Sequence, residues 1–352
     1  MNQEINTIDL KFSILIPTFN GSAVIKDTLR SILTQSFQNF EIIIQDDVSS
    51  DNTVEVINSL NDPRIKIFKN EKNLGYSKNL DSLSRKATGE IIYLMGQDDI
   101  LAQGALMDTY NAFKSSPDIG GVARPYYWFH KNIDIPVRAT KQLNPQKDEI
   151  VRITDDFNRI ILLIDVAGQL SGLAYRRKFI DRPFHDDIFP CHVYPFASIL
   201  KKHPIVFLKD YNLAVRIASS QCRSVSSIYN VSPLKSWVDF FNNVFNEKEF
   251  INLRNYCIKN YVAVNYVGLV QIKNYAKYRY LLREIWYLLK YRWENLFSLK
   301  FWFFSLGCVV MPASLLIPMV DWYKNNINSK KLKYIKIKYN LNFNETTDKQ
   351  AA

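Results

Sequence analysis

The stretch that decides the fold class is Phe12-Ser-Ile-Leu-Ile-Pro-Thr-Phe-Asn-Gly21. Its first five residues are mostly apolar, which predicts a buried β-strand, and Pro17 ends the run because it has no backbone N–H to donate. A polar loop follows, and Ser22 is placed to cap a helix that we expect to run to about Ser36. A strand, a polar loop and a helix in that order form the first half of a β-α-β unit.

The same alternation continues to about residue 125. Further strands are predicted at 41–45, 64–68, 90–95 and 119–124, and the helices between them end near residues 60, 86 and 114. Helices that alternate with short apolar strands are typical of parallel sheets covered on both faces. We therefore expect an α/β fold with a mixed, mostly parallel sheet flanked by helices, whose last strands are 205–208 and 213–217.

The pattern divides the chain into three parts. We expect one α/β domain at residues 1–232, with a regular half at about 10–125 and a less regular half at about 126–232. Helices rich in Tyr, Trp and Lys are predicted for 233–340, and a disordered tail for 341–352.

Charge is distributed unevenly along the 352 residues. The formal net charge is +11, and the 16 basic and 5 acidic residues after position 250 account for all of it. Residues 301–320 carry no charge, and twenty such residues suffice for one membrane span. Pro312 and Pro318 fit a broken, interfacial helix pair equally well, and a buried hairpin of a soluble protein is the third interpretation.

We expect the region 233–340 to associate with an anionic membrane surface. Lysines near such a surface contribute about 1 kcal/mol each. Six of them follow the uncharged stretch: Lys324, Lys330, Lys331, Lys333, Lys336 and Lys338. The four cysteines form no CxxC pair and the first residues do not resemble a signal peptide, which favours a cytosolic protein with reduced thiols. The expected location is the cytoplasmic face of the inner or plasma membrane, with peripheral or monotopic attachment.

Pairs of acidic residues follow two of the predicted strands. Asp46 and Asp47 come after the strand 41–45, and Asp98 and Asp99 after the strand 90–95. Both loops open at the carboxyl edge of a parallel sheet, where such sheets bind ligands. Paired carboxylates there suit a divalent cation, Mg²⁺ or Mn²⁺, that holds a diphosphate, although Asp98 and Asp99 also suit a simple turn. The chain has neither GxGxxG nor GxxxxGK[ST], which argues against dinucleotide-binding and P-loop sites.

Four stretches in this order resemble the N-terminal half of the inverting family 2 glycosyltransferases, which have the GT-A fold. They are FSILIPTFNG, SILTQSFQNFEIIIQDDVSSDNT, KNLGYSKN and GEIIYLMGQDD. The resemblance is clear to about residue 125 and weaker to about residue 217. It implies a GT-A-like sheet, a nucleoside-diphosphate sugar donor and a divalent metal.

The resemblance also implies roles for single residues of the donor site. Pro17, Thr18 and Asn20 match the loop beside the nucleotide base. Asp47 matches the acid that hydrogen-bonds the base, usually uracil or thymine, and Asp46 is its neighbour. An ionised carboxylate is a strong acceptor for a pyrimidine N–H.

Three further positions match the part of the family site that holds the diphosphate. Lys78 matches a position near the donor phosphates. Asp98 and Asp99 match the end of the DxD-type motif, which binds the ribose and the diphosphate-bound metal. The motif departs from the family form because Gly96 replaces its first acid.

The catalytic base is the least defined part of the resemblance. Inversion requires a base that takes the proton of the acceptor hydroxyl. In the family this is usually an Asp at the start of a helix, but the helix predicted at 192–201 starts without an acid. His192 is the first candidate, because imidazole accepts a proton near neutral pH, and the loop acids Asp187 and Asp186 are the alternatives.

The implied function is metal-dependent, inverting transfer of one sugar from a nucleoside-diphosphate sugar, with UDP or dTDP favoured, to a lipid-linked saccharide in cell-surface polysaccharide synthesis. A nucleotidyltransferase and an inactive sugar-binding scaffold stay open as alternatives. The nucleotidyltransferase is disfavoured because the stretch after the first strand, PTFNGSAVI, has one glycine and no arginine. The inactive scaffold is favoured only by the missing acidic base near position 192. No nucleic-acid partner is expected, because the uncharged 301–320 is a poor match for phosphate backbones. The C-terminal helices leave a homodimer open.

Overall fold

The computed structural model describes residues 10–218 and 226–342. Its centre is an eight-stranded sheet in the order β3-β2-β1-β4-β10-β6-β11-β9. The strands, numbered along the chain, are β1 (Phe12–Thr18), β2 (Phe40–Asp46), β3 (Ile65–Lys69), β4 (Ile91–Leu94), β6 (Gly121–Ala123), β9 (Glu149–Val151), β10 (Ala174–Arg176) and β11 (Ile205–Phe207). Strands β1–β4 are parallel and β11 is parallel to β6, whereas β10 and β9 are antiparallel to their neighbours. The predicted mixed, mostly parallel sheet is therefore confirmed.

Six α-helices accompany these strands within residues 10–218. They are α1 (Ile25–Leu33), α2 (Thr53–Asn58), α3 (Tyr76–Ser84), α4 (Ala105–Lys114), α5 (Phe157–Ala167) and α6 (Val193–Leu200). In α1, Ile25, Leu29 and Ile32 recur every three to four residues and are all buried, which is the pattern of a helix packed on a core. The predicted Ser22 cap was wrong, because α1 begins at Ile25 after an uncapped turn. The Ser22 N–H instead donates a 3.1 Å hydrogen bond to Asp51.

A second sheet, of four strands in the order β5-β12-β7-β8, was not expected from the sequence. Its strands are β5 (Ile100–Leu101), β7 (Tyr127–Phe129), β8 (Pro136–Ala139) and β12 (Leu213–Arg216). Strand β5 directly follows Asp99 and pairs with β12. This pairing brings Arg216, more than a hundred residues away along the chain, to the loop that carries Asp98 and Asp99.

Residues 233–331 are mostly helical, as predicted. The helices are α7 (Pro233–Val244), α8 (Ile251–Asn260), α9 (Gly268–Tyr275), α10 (Tyr278–Tyr291), α11 (Leu299–Val310), α12 (Ala313–Tyr323) and the short α13 (Ser329–Lys331). Ser232 caps α7 by accepting a 3.1 Å hydrogen bond from the Lys235 N–H, and Pro233 occupies the first helical position. One apolar core extends from Leu10 to Cys308, so these helices pack on the α/β domain.

The uncharged stretch 301–320 is broken between α11 and α12, at Met311 and Pro312. In α11 only Phe301, Ser305 and Cys308 are buried, and in α12 no residue is. Across residues 10–218 and 226–342, no helix is long and apolar enough to cross a membrane.

The lysine-rich segment after α13 packs on the α/β domain. Ile335 is buried in the same apolar cluster as Ile100, and the Gln103 N–H donates a 2.7 Å hydrogen bond to the carbonyl of Lys338. Leu332, Ile335 and Ile337 of this segment therefore pack on the domain, and the membrane association expected for residues 233–340 stays a prediction. Most of the predicted tail, residues 343–352, lies outside the described residues.

Candidate active site

Four polar loops lie at the carboxyl ends of β1–β4, as the sequence predicted. They comprise residues 17–21, 46–52, 70–77 and 96–100, and we call them the carboxyl edge. The sheet register aligns Thr18 with Asp46, so the first two loops start side by side. The Asn20 N–H donates a 2.8 Å hydrogen bond to Ser49 Oγ, and Asn20 Oδ1 accepts one of 2.8 Å from the Ser50 N–H. The first two loops are therefore held together by side chains as well as by the strands.

Gln97 joins the first loop to the last, a role that the sequence did not predict. Its Oε1 accepts a hydrogen bond from the Thr18 hydroxyl and one of 3.0 Å from the Phe19 N–H. The Thr28 hydroxyl donates a 2.9 Å hydrogen bond to the Gln97 carbonyl. These bonds fix the backbone just before Asp98. They also engage the hydroxyl of Thr18, one of the residues that match the loop beside the nucleotide base.

The loop after β2 is shaped by Asp46 and Val48. Asp46 is fully buried, and its carboxylate accepts hydrogen bonds from the N–H and the hydroxyl of Ser49. Asp46 therefore holds the turn of the loop through Ser49, and its place in the nucleotide site stays a prediction. Val48 has a φ of 65°, in the left-handed region that β-branched residues rarely adopt.

Asp47 is also buried and holds the third loop. Its carboxylate accepts hydrogen bonds of 2.7 Å from the Leu74 N–H, 2.9 Å from the Gly75 N–H and 2.7 Å from Asn70 Nδ2. An ionised carboxylate offers about four acceptor positions, so these bonds leave about one for a nucleotide base. Asp47 therefore positions the loop at 70–75 and keeps capacity for one further hydrogen bond.

The two acids after β4 differ in their surroundings. Asp99 is 2% exposed and accepts hydrogen bonds of 2.5 Å from Ser171 Oγ, 2.9 Å from Gln169 Nε2 and 2.9 Å from the Arg216 N–H. Burial, reinforced by the charge of Asp98, raises the pKa of Asp99 to about 8. Asp98 is only partly buried. Asp98 thus presents a partly exposed carboxylate, whereas three hydrogen bonds hold the buried Asp99, and the assignment of both acids to the metal stays a prediction.

A divalent metal at this edge needs ligands from a bound molecule. The residues 10–218 and 226–342 contain no group of three or more His, Cys, Asp or Glu arranged to hold a metal ion. Mg²⁺ is commonly held by one or two carboxylates together with substrate phosphates. A partly exposed Asp98 beside a diphosphate fits that pattern, whereas a metal site made of protein ligands alone does not.

The remaining donor-site predictions fall on the same edge. Pro17 is half-buried near the end of β1, and Asn20 is exposed in the first loop. Lys78 is exposed on the first turn of α3, which begins after Gly75. The N–H groups at a helix start and a lysine beside them favour an anion such as a phosphate.

His192 directly precedes α6, as predicted, but it lies in the interior. Its Nε2 is 3.1 Å from the carbonyl oxygen of Ala167, and since a carbonyl only accepts, Nε2 carries the proton. Nδ1 then accepts a 3.3 Å hydrogen bond from the Tyr76 hydroxyl. Burial lowers the pKa of His192 to about 4. The expectation that His192 is the base is corrected, because both ring nitrogens connect α5 to α3.

The two loop acids lie toward the C-terminal helices. Asp187 is half-buried and accepts a 2.8 Å hydrogen bond from Ser236 Oγ in α7, whereas Asp186 is exposed. Asp187 thus has a contact that fixes its loop, and its role as a base stays a prediction together with that of Asp186.

The residues that sequence reasoning missed come from distant parts of the chain. Gln169, Ser171 and Arg216 lie between 70 and 117 residues after Asp99, and each hydrogen-bonds to it. Nothing in their local sequence marks them, because only the folded sheet brings them to Asp99.

Comparison with known proteins agrees with this geometry. Residues 13–182 match the model of the family described as glycosyl transferase family 2. The match includes the whole carboxyl edge and ends before His192. It confirms the resemblance drawn from the four sequence stretches.

Two named relatives act in bacterial glycan assembly according to their names. One is the GalNAc(5)-diNAcBac-PP-undecaprenol beta-1,3-glucosyltransferase of Campylobacter jejuni, 38% identical over 99 residues, which are 27% of this chain and 32% of that protein. The other is the Escherichia coli UDP-Glc:alpha-D-GlcNAc-diphosphoundecaprenol beta-1,3-glucosyltransferase WfgD, 34% identical over 92 residues, which are 26% of this chain and 36% of that protein. The chain spans about a third to about a half of the length of the curated relatives it matches first.

Solved structures extend the similarity of fold over nearly the whole chain. A structure of S. aureus TarS 1–349 in complex with UDP-GlcNAc has a TM-score of 0.61 at 16% identity and covers 92% of this chain and 91% of that one. A mannosyltransferase from Pyrobaculum calidifontis in complex with GDP-Man and Mn²⁺ has a TM-score of 0.52 at 14% identity. The match covers 94% of this chain and 84% of that one. The fold, including the region after residue 232, is thus one already found in glycosyltransferases.

Proposed function

We propose that this protein moves one sugar from a nucleoside-diphosphate sugar to a lipid-linked saccharide, with inversion at the sugar carbon. The proposal starts from residues 13–182, which form a glycosyl transferase family 2 domain. The observation that carries the proposal is the carboxyl edge, where a partly exposed Asp98 stands on a buried, hydrogen-bonded Asp99. The bacterial relatives support a role in cell-surface polysaccharide synthesis.

The donor binds along the carboxyl edge. The remaining acceptor position of Asp47 suits the N–H of uracil or thymine, so UDP or dTDP is the favoured nucleotide. Lys78 and the start of α3 face the phosphates in this proposal. The structural neighbour crystallised with UDP-GlcNAc supports a nucleotide sugar of this class.

Asp98, together with a donor phosphate, would hold the metal, Mg²⁺ or Mn²⁺. The bound cation would supply positive charge that offsets the charge developing on the leaving diphosphate. Gln97 holds the backbone before Asp98, and Arg216 donates a 3.1 Å hydrogen bond to the Asp98 carbonyl, so the ligand is fixed from two sides.

The acceptor is presented at a membrane, on the cytoplasmic face. Large apolar side chains are exposed between α10 and α13, and eight of them are grouped here: Phe297, Leu299, Phe303, Leu306, Val310, Leu315, Met319 and Trp322. We call them the apolar patch. Lys300 and Lys324 flank α11 and α12, and the last hundred residues hold the whole net positive charge. An apolar surface bordered by lysines suits the interface of an anionic bilayer.

The test is a turnover assay with the full chain in detergent. Nucleoside-diphosphate sugars are supplied one at a time, with Mn²⁺ or with EDTA, together with a polyprenyl-diphosphate-linked N-acetylhexosamine. We expect release of the nucleotide with one donor, only when Mn²⁺ is present, and addition of one sugar to the lipid. Nucleotide binding without turnover of any donor would instead support the inactive scaffold.

A further inference from the structure

We propose that Asp165, and none of the acids expected from the sequence, is the base that takes the proton of the acceptor hydroxyl, in an aromatic-lined cleft that holds the acceptor saccharide. The inference rests on the proposed glycosyl transfer and assigns its missing residue.

The end of α5 is fixed to the metal-binding loop. Gln169, just past the end of α5, donates a 2.9 Å hydrogen bond to Asp99, and Ser171 donates one of 2.5 Å. Asp165 lies four residues before Gln169, and residues four apart lie on one face of a helix. Gly168 keeps right-handed helical backbone angles, so Asp165 lies about one helical turn before Gln169, at the end of α5 that is tied to Asp99.

Asp165 is exposed in the second half of α5, where most other residues are buried. Its neighbours Ile164 and Val166 are buried, as is most of the last turn of α5. A carboxylate open to solvent between buried residues is accessible to a substrate without exposing the core.

The groups around Asp165 come from three other parts of the chain. The hydroxyl of Tyr261 donates a hydrogen bond to it, and Arg138 and Lys141 act on it as positive charges. Tyr126, a buried residue after β6, lies within the electrostatic influence of both Asp165 and Asp99. Asp165 is thus exposed and yet surrounded by protein, which is the situation of a side chain in a concave surface.

Aromatic rings form the walls of this cleft. Trp128 is half-buried and packs edge-on against Tyr126, with ring centroids 4.7 Å apart, while the Arg138 guanidinium lies 4.2 Å above the Trp128 ring. On the other side, Trp237 of α7 packs edge-on against Tyr261 at 5.8 Å. Half-exposed aromatic rings beside a carboxylate and a guanidinium fit the apolar faces and hydroxyls of a sugar ring. The C-terminal helices thereby contribute two residues to the site.

The proposed sugar transfer is a direct displacement at the anomeric carbon. The acceptor oxygen forms a bond to the anomeric carbon of the donor sugar while the bond from that carbon to the diphosphate oxygen breaks. The electron pair of the broken bond leaves with the nucleoside diphosphate, and the hydroxyl proton passes to the carboxylate of Asp165.

The protonation behaviour of Asp165 agrees with this role. Burial by the surrounding protein raises its pKa above that of an ordinary aspartate, while the Tyr261 hydrogen bond and the charges of Arg138 and Lys141 oppose the rise. A base with a raised pKa holds the transferred proton better than an ordinary carboxylate does.

The experiment measures donor hydrolysis, in which water takes the place of the acceptor, so no acceptor needs to be known. Each nucleotide sugar is incubated with Mn²⁺ and wild type, Asp165→Asn, Asp165→Glu, Asp186→Asn or Asp187→Asn. We expect Asp165→Asn to reduce hydrolysis at least 100-fold, Asp165→Glu to recover part of it, and the two loop variants to stay within threefold of wild type. Nucleotide binding, read as a thermal shift, should be unchanged in all four variants.

Two further readouts separate a base from a structural residue. Tyr261→Phe keeps the Asp165 carboxylate but removes a hydrogen bond that lowers the pKa of Asp165. In a plot of hydrolysis rate against pH, the rise on the acid side should therefore move to higher pH. Hydrolysis by Asp165→Asn within threefold of wild type, or an equal loss of nucleotide binding, would overturn the assignment. A wild type that binds no nucleotide would overturn the proposed function itself, and the inference with it.

Discussion

The side-chain amide of Gln169 donates a 2.9 Å hydrogen bond to Oδ2 of Asp99. This contact joins the two halves of the α/β domain, because Asp99 lies in the regular half at about 10–125 and Gln169 follows α5 in the second half. The loop that presents Asp98 therefore depends on residues that are far away in the sequence. The same contact sets the position of Asp165 relative to the metal-binding loop.

Asp98 and Asp99 are expected to respond differently to the same substitution. Asp98→Asn should remove the Mn²⁺-dependent binding of a nucleoside diphosphate and leave the melting temperature unchanged. Asp99→Asn should lower the free energy of unfolding by about 1–3 kcal/mol, because an amide cannot accept all the hydrogen bonds that the carboxylate receives. Melting curves with and without UDP and Mn²⁺ check both. Equal loss of stability in the two variants would contradict the division of roles.

The stability of the protein should decrease as the pH falls from about 6.5 toward 4. His192 has a pKa lowered to about 4 by burial, so in this range the unfolded chain binds a proton that the folded chain does not. The contribution is at most about 3 kcal/mol, from 1.36 kcal/mol for each unit of pKa difference. Urea unfolding between pH 4 and 7 should show a smaller pH dependence for His192→Gln, an amide that still donates to the Ala167 carbonyl. If the free energy of unfolding changed with pH equally in wild type and His192→Gln, His192 would not be the buried, neutral histidine described.

Val48→Gly should stabilise the protein. Val48 has a φ of 65°, a conformation that costs an L-residue about 1–2 kcal/mol, and glycine adopts it without strain. After the backbone entropy cost of glycine, we expect a net gain of about 1 kcal/mol in the free energy of unfolding. Thermal unfolding checks this, with Val54→Gly in α2, where φ is helical, as the control that should lose stability. A lower melting temperature for Val48→Gly would contradict the strain.

Vesicle binding should depend on the apolar patch. Leu299→Glu combined with Phe303→Glu should abolish cosedimentation with vesicles that contain phosphatidylglycerol, because both side chains are more than 70% exposed and carry no core contact to lose. Ile150→Glu is the matched control, since Ile150 is an exposed apolar residue on the edge strand β9. Wild-type binding to phosphatidylcholine vesicles should be weaker. A double variant that still sediments with anionic vesicles would remove the patch as the attachment surface.

The sequence predicted the donor half of the fold and of the site because its signals are local. Each strand end at 17, 46 and 98 combines an apolar run with polar loop residues, and parallel pairing forces these loops to one edge. The second sheet and the contacts of Asp99 could not be found in this way. Strand β5 has only two residues, and its partner β12 lies more than a hundred residues later.

The base could not be found from the family pattern for a different reason. The pattern points to position 192, where this chain has a histidine that the fold buries between α5 and α3. Asp165 carries no motif, since a single acid on an apolar helix looks like an ordinary surface position until the surrounding residues are known. Likewise, the lysines between 324 and 338 suggested contact with an anionic membrane, and only the fold shows that Ile335 among them packs on the domain.

The central claim is a metal-dependent nucleotide site at the carboxyl edge, and a thermal-shift series on the full chain in detergent tests it most directly. UDP, dTDP, GDP and CDP are added singly, each with Mn²⁺ and with EDTA, to wild type and to Asp98→Asn. A ligand that binds only the folded protein raises its stability, by about 2.7 kcal/mol at a hundred times the dissociation constant. The account predicts a rise with UDP or dTDP that needs Mn²⁺ and is lost in Asp98→Asn. No shift with any nucleotide, or an equal shift in Asp98→Asn, would contradict it.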